Sequence, residues 1–246
     1  MTDHEPEVQA PAAPTPEKAS LAEDFIDIFF SPSAVFARRA DSGFFLVMCI
    51  LTLLLGGLFL ANRGVMSGIM DAEFARGMAA AAKANPGMTD AQMETARKFQ
   101  GYALNFGAFI GIPIVIFCVG LCAWLTGKIL GAKMSYTAAT MIAAYSYMPR
   151  IIESLGVNAQ GWLIDTDALT GRYQLTLGVG RFMNPEMNAG LLGLVGRVDV
   201  FTLWVTVLLA IGIGVVGKLP REKAIVAGVV MWCFGALPSL WTLVRG

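Results

Sequence analysis

Long apolar runs separated by polar segments are the main pattern of this chain. A helix needs about 20 residues to cross roughly 30 Å of hydrocarbon. Runs of about that length predict five transmembrane helices, at residues 44–61, 102–126, 136–155, 200–216 and 224–244. We therefore predict an all-α membrane protein.

At Ser20 the N-terminal region changes from a proline-rich polar segment to a pattern that predicts a helix. Residues 1–19 hold four prolines and almost no bulky apolar side chains, which predicts a disordered cytoplasmic tail. Ser20 and Glu23 then have the spacing of a capping box. The apolar positions that follow recur at helical spacing and predict a short amphipathic helix on the membrane surface: Leu21, Phe25, Ile28 and Phe29.

Two long polar connections separate the predicted spans. Residues 62–101 contain Thr89 and Gln92, whose spacing predicts a capped helix that continues into the second span. Residues 156–197 end in a short apolar stretch that cannot cross a bilayer, which we expect to lie in the interface.

Basic residues predict the orientation, because loops rich in Lys and Arg resist translocation. The segments before the first span and in the two short turns, 127–135 and 217–223, are about twice as basic per residue as the two long connections. We therefore expect a multi-pass membrane protein with a cytoplasmic N-terminus and the C-terminus outside.

Composition supports a membrane protein and excludes some partners. Charged residues make up 15% of the chain, against about 25% in soluble domains. The 18 basic and 18 acidic residues balance, so charge gives no reason to expect nucleic acid. The four cysteines lie in apolar runs, and the one histidine, His4, lies in the tail. We predict no metal and no cofactor.

Arg150 and Glu153 are a charged pair within a predicted span, and at i, i+3 they can meet on one helix face. Charges at membrane depth are costly and tend to mark function. The pair either recognises a polar substrate or locks helix packing. Alternatively, the third span ends early near Pro149, and both groups lie among the lipid headgroups.

Pairs of small residues four positions apart mark two predicted spans. They are Gly107 with Gly111 and Ala210 with Gly214. Such pairs let helix backbones approach each other closely in a membrane. We expect them to pack helices, within this chain or against another membrane protein.

Three stretches resemble the bacterial branch of the Yip1 domain family. They are residues 25–36 (FIDIFFSPSAVF), 144–149 (AYSYMP) and 198–224, which begins VDVFTLW and ends KLPREKA. The resemblance implies a five-helix Yip1-like domain in the bacterial inner membrane, to which we assign residues 20–246. Eukaryotic relatives in this family are associated with Golgi trafficking and small GTPases, but the resemblance implies little chemistry for bacterial members.

No Ser-His-Asp, metalloprotease or phosphate-loop pattern occurs in the sequence. We expect a non-enzymatic protein that binds or organises other membrane proteins in the bilayer, as an accessory subunit of a larger complex. The alternative is a small-solute transporter or channel, with Arg150 and Glu153 in its pathway. The sequence leaves the oligomeric state open.

Overall fold

A computed structural model describes residues 20–164 and 169–245, so the predicted disordered tail lies outside the described residues. Within the described ranges the chain is helical, and its one β-type pairing is an isolated bridge between Gly178 and Asp199. This confirms the all-α prediction.

Ten α-helices follow one another in the described part of the chain, and two short 3-10 turns lie between the seventh and the eighth. The helices are α1 (Leu21–Phe30), α2 (Pro32–Arg39), α3 (Phe45–Ala61), α4 (Arg63–Ala84), α5 (Asp90–Leu130), α6 (Tyr136–Ser146), α7 (Pro149–Leu163), α8 (Ala189–Gly196), α9 (Val200–Val216) and α10 (Arg221–Arg245). The capping boxes predicted at Ser20 and Thr89 are both present.

Two helices, α5 and α10, are long and apolar enough to cross a membrane. A third candidate is the pair α3 and α4, which meets at a bend of 82°. The apolar helix α9 has 17 residues and is shorter than these. Length and composition thus support two or three spans, and the count of five stays a prediction.

The segment predicted as the third span, 136–155, is not one helix. α6 ends at Ser146, and Pro149 occupies the first turn of α7. Proline lacks a backbone N–H and has a fixed φ, so it disrupts a helix interior but fits a helix start. Residues 138–146 of α6 are all buried, which places this short helix in the middle of the bundle.

The apolar face of α1 packs against protein. Ile28 is fully buried, and Leu21, Phe25 and Phe29 lie against the core. We had expected these side chains at the membrane surface. The apolar side chains that α1 leaves exposed are different ones, Ile26 and Phe30, with 62% and 82% of their surface accessible.

The small-residue pair of α9 packs inside the molecule. A Cβ added to Gly214 would lie 2.7 Å from the Cβ of Ala224, and one added to Gly228 would lie 2.8 Å from the Cβ of Ala210. Both contacts lie between α9 and α10. The sequence-predicted pair Ala210 and Gly214 therefore allows these two helices to approach closely.

The small-residue pair of α5 faces no other described helix. An added Cβ at Gly111 would meet nothing within 4 Å, and one at Gly107 would meet only Ala103 of the same helix, at 3.6 Å. Further along, Gly120 packs tightly on α6, since its added Cβ would lie 2.7 Å from the Thr140 hydroxyl. The two halves of α5 thus differ in their contacts within the chain.

The short apolar stretch before α9 forms α8, which packs on α10. Gly190 meets the backbone of Leu243, and an added Cβ at Gly193 would lie 2.5 Å from the Ser239 hydroxyl. α8 is therefore attached to the bundle, and its predicted place in the interface stays a prediction.

Candidate functional site

Arg150 and Glu153 meet near the start of α7. Pro149 begins this helix, which puts Arg150 in its first turn. An Arg150 Nη lies 2.5 Å from a Glu153 carboxylate oxygen, and 27% and 17% of the two side chains are exposed. The other Nη of Arg150 donates to the Thr202 hydroxyl at 2.9 Å. The pair singled out from the sequence thus forms a contact, and Thr202 links it to α9.

Thr202 lies where it does because Asp199 caps α9. The buried Asp199 carboxylate accepts hydrogen bonds from the backbone N–H groups of Phe201 and Thr202, at 2.9 and 3.0 Å. The N–H groups of a first helical turn have no acceptor within the helix, so the carboxylate supplies the acceptor for two of them. Sequence analysis missed this role, although an Asp directly before an apolar helix is a usable signal.

A second guanidinium, that of Arg197, lies beside this pair. Its two Nη atoms each donate at 2.8 Å, to the backbone carbonyls of Trp232 and Gly235 in α10. The Arg197 guanidinium also lies 5.2 Å from the centre of the Trp232 ring, a cation–π distance. The sequence patterns identify Arg197 only as one of the basic residues of the connection 156–197.

Arg197 forms no ion pair with a carboxylate of the described residues, although Asp199 lines the same cavity. None of the ion pairs in the described part of the chain includes it. Its Nε atom and the indole N–H of Trp232 are buried with no hydrogen-bond partner among the described residues. Burial lowers the pKa of Arg197, the direction expected for a cation removed from water.

Two cavities meet at Arg150, Arg197 and Thr202. One, of about 230 Å³, is largely apolar and extends between α5, α9 and α10. The other, the polar cavity of about 280 Å³, is lined mainly by charged and hydroxyl-bearing residues and lies towards the connection before α8. The further lining of the apolar cavity includes Cys118, Cys122, Leu209 and Met231, and that of the polar cavity includes Glu153, Arg172, Tyr173 and Asp199.

A wider cavity of about 620 Å³ shares Arg172 and Tyr173 with the polar one. An Arg172 Nη lies 2.5 Å from a carboxylate oxygen of Glu73 in α4. The hydrogen bond to Glu73 raises the pKa of Arg172. In contrast to Arg197, this arginine thus has its own carboxylate, which attaches α4 to the second connection.

A third polar cluster joins the N-terminal helices to the bundle. The fully buried Asp24 carboxylate lies 2.6 Å from Arg38 Nε and 2.5 Å from Arg39 Nε, and it accepts a hydrogen bond from the Tyr145 hydroxyl at 3.2 Å. Arg38 also lies 2.6 Å from the carboxylate of Asp27. The sequence patterns did not identify this cluster, although Asp24 lies one helical turn from both Leu21 and Ile28, beside the apolar face of α1.

The described residues hold no group of three or more His, Cys, Asp or Glu side chains placed to bind a metal ion. Cys118 and Cys122 line the apolar cavity, and all four cysteines are free thiols.

Long apolar helices and buried polar clusters define the molecule as an all-helical membrane protein. The Yip1 domain family matches residues 26–243, which is most of the chain. The protein belongs to the Yip1 domain family. This confirms the relationship inferred from the three resembling stretches.

One relative is the Membrane protein YknW of Bacillus subtilis (strain 168), which is 26% identical over 151 residues. The aligned region covers 61% of this chain and 62% of the relative, so the chain spans about three fifths of that protein's length. No solved structure matches the chain.

Proposed function

We propose that this protein is a five-span, non-enzymatic protein of the bacterial inner membrane that binds and organises other membrane proteins. In the proposed topology the N-terminus is cytoplasmic, the C-terminus lies outside, and α6 with the start of α7 together take the place of the third span. The observation that carries the proposal is the uncovered face of α5.

This face combines bulky and small residues. The side chains of Tyr102, Phe106 and Ile110, one helical turn apart, are exposed. Gly107 and Gly111 next to them have no neighbouring helix in the described structure. Small residues beside large ones allow a second helix to approach closely, and such packing is a main driving force for helix association in lipid. A helix of another membrane protein fits this surface.

α5 also extends beyond the bilayer. Its 41 residues span about 60 Å at 1.5 Å per residue, twice the thickness of the hydrocarbon. Its N-terminal turns carry charged residues, including the ion pair between Lys98 and Glu94 at 2.8 Å. Phe99 lies next to that pair and is exposed. An exposed Phe outside the hydrocarbon supports contact with a protein partner as well.

Site-specific photo-crosslinking in native membranes tests this proposal. A photoreactive amino acid is placed at Phe106, and the matched control is Val229 of α10, because both side chains are 59% exposed. The expected result is a discrete crosslinked protein from position 106, identified by mass spectrometry, and none from position 229. Lipid adducts alone at both positions would reject a partner on this face.

The second candidate is a small-solute transporter. Three neighbouring cavities favour this candidate. The wide cavity beside α4 shares lining residues with the polar cavity, which in turn shares lining residues with the apolar cavity. A Thr202→Cys variant, made with the four native cysteines replaced by alanine, reports access. An alternating-access transporter exposes this position to impermeant thiol reagents from both sides of the membrane. Labelling from one side only argues against transport.

A further inference from the structure

Of the two arginines between the cavities, Arg150 forms an ion pair with a carboxylate of the described residues and Arg197 does not. Arg150 is neutralised by Glu153 at 2.5 Å. The Asp199 carboxylate accepts from the two first-turn N–H groups of α9, where the positive end of the helix dipole also offsets its charge. Among the described residues, the hydrogen-bond acceptors of Arg197 are the neutral carbonyls of Trp232 and Gly235. In that part of the chain its Nε is also buried without a hydrogen-bond partner, so the guanidinium can accept a further anionic ligand.

The surroundings of Arg197 differ on its two sides. The polar cavity presents the Tyr173 and Thr176 hydroxyls and the Arg172 guanidinium. The apolar cavity presents mostly aliphatic and thiol side chains, and it reaches Cys118, which is exposed on the surface of α5. A ligand that fills both cavities has a polar end and a hydrocarbon end. The exposed cysteine marks a side on which hydrocarbon can enter from the bilayer.

We propose that the two cavities together form a binding site for an anionic amphiphile. Its acidic head contacts Arg197 and Arg150 in the polar cavity, and part of a hydrocarbon chain occupies the apolar cavity beside Cys118. An anion at Arg197 supplies an ion-pair partner, and its oxygen atoms can accept from the guanidinium in a charge-assisted hydrogen bond.

Either a phospholipid or a free fatty acid has this chemistry, and the site recognises what they share. A volume of about 230 Å³ holds part of one chain rather than a whole lipid. A second chain of a phospholipid therefore stays in the bilayer outside α5.

Native mass spectrometry of the full-length protein in mild detergent tests the site. The protein is titrated with phosphatidylglycerol, phosphatidylcholine and oleate. We expect wild-type protein to bind phosphatidylglycerol about tenfold more tightly than phosphatidylcholine, because the choline cation of phosphatidylcholine offsets the attraction of its phosphate to the guanidinium. Tighter binding of phosphatidylglycerol than of oleate assigns the site to phospholipid, and the reverse order assigns it to a fatty acid.

Two variants separate the head contact from the chain contact. Arg197→Gln is expected to abolish the tenfold preference for the anionic lipid, whereas Lys223→Gln, which alters an exposed lysine that bonds the Leu130 carbonyl, leaves it unchanged. Cys118→Trp fills the apolar cavity from an exposed position and is expected to weaken the binding of phosphatidylglycerol and oleate about tenfold.

Equal binding of phosphatidylglycerol and phosphatidylcholine by the wild-type protein, with oleate bound no more tightly than either, would overturn the proposal. A preference that persists in Arg197→Gln would overturn it too. If the Arg197 variant does not fold, Cys118→Trp decides the question, and unchanged lipid binding by that variant rejects the site.

Discussion

Glycines of the same helix have opposite roles in this protein. Gly120 touches α6, where an added Cβ would lie 2.9 Å from the backbone Cα of Thr140. Gly111 has open space around it. The sequence shows two glycines in one apolar run, and only their neighbours in the fold distinguish a packing contact from an open surface.

Alanine substitutions at these glycines should change stability in opposite directions. Gly120→Ala is expected to lower the free energy of unfolding by about 1–3 kcal/mol, because overpacking displaces Thr140. Gly111→Ala should raise it by about 0.5–1 kcal/mol, because alanine favours the helix and meets no neighbour. Thermal unfolding of the purified variants in detergent measures both. A destabilised Gly111→Ala variant would show a contact that the open space does not reveal.

Asp24 is the buried carboxylate that contacts Arg38, Arg39 and Tyr145 in the N-terminal cluster. Asp24→Asn leaves the Arg38 and Arg39 side chains without their buried counter-charge and should cost about 3 kcal/mol, at the lower end for a broken buried pair because Arg38 keeps Asp27. The matched control is Asp27→Asn, since Asp27 is 41% exposed and makes one of these contacts. A fall in melting temperature for Asp24→Asn that does not exceed the control's would contradict the role of the cluster.

At the scale of elements, the break between α6 and α7 creates the polar site. A continuous helix would place Arg150 along a buried span. The helix start at Pro149 puts Arg150 instead in a first turn that faces α9 and Thr202. The proline was visible in the sequence, but the side of the bundle that α7 faces depends on packing against α3 and α9.

The cap of α9 has its own prediction. Asp199→Ala removes the acceptor for two backbone N–H groups and should destabilise the protein by about 1–2 kcal/mol. Asp199→Asn keeps an acceptor oxygen at the same position, so it should retain most of the stability. Melting temperatures of the two variants measure the difference. Equal losses would show that the negative charge, rather than the cap, is what matters.

At the scale of the whole molecule, orientation in the membrane is the property that most constrains function. The proposed topology places the connection that contains Lys83 outside and the short turn that contains Lys133 in the cytoplasm. Both lysines are exposed. Their positions therefore allow the topology to be tested without disturbing the core.

Single cysteines at these lysines should react differently. With the native cysteines replaced by alanine, Lys83→Cys is expected to react with an impermeant thiol reagent in intact cells. Lys133→Cys should react only after permeabilisation. The permeabilised sample controls for reactivity at both positions. The opposite pattern would invert the topology, and with it the side from which the polar cavity is reached.

The sequence alone determined the class of this protein and much of its local structure. Hydrocarbon-length apolar runs indicated helices in a membrane, and the capping boxes at Ser20 and Thr89 marked two helix starts that the structure confirms. The three resembling stretches led to the Yip1 domain family, which the match over residues 26–243 confirms. These signals are local, so they can be read without a fold.

Only the tertiary structure decided which residues meet. It turned the apolar face of α1 towards protein, because α2 and the bundle cover Ile28. It buried Asp24 against Arg38 and Arg39, and it placed Arg197 beside Arg150, 47 positions away in sequence. Contacts between distant residues depend on how helices pack against one another, and helical periodicity and residue spacing do not contain that information.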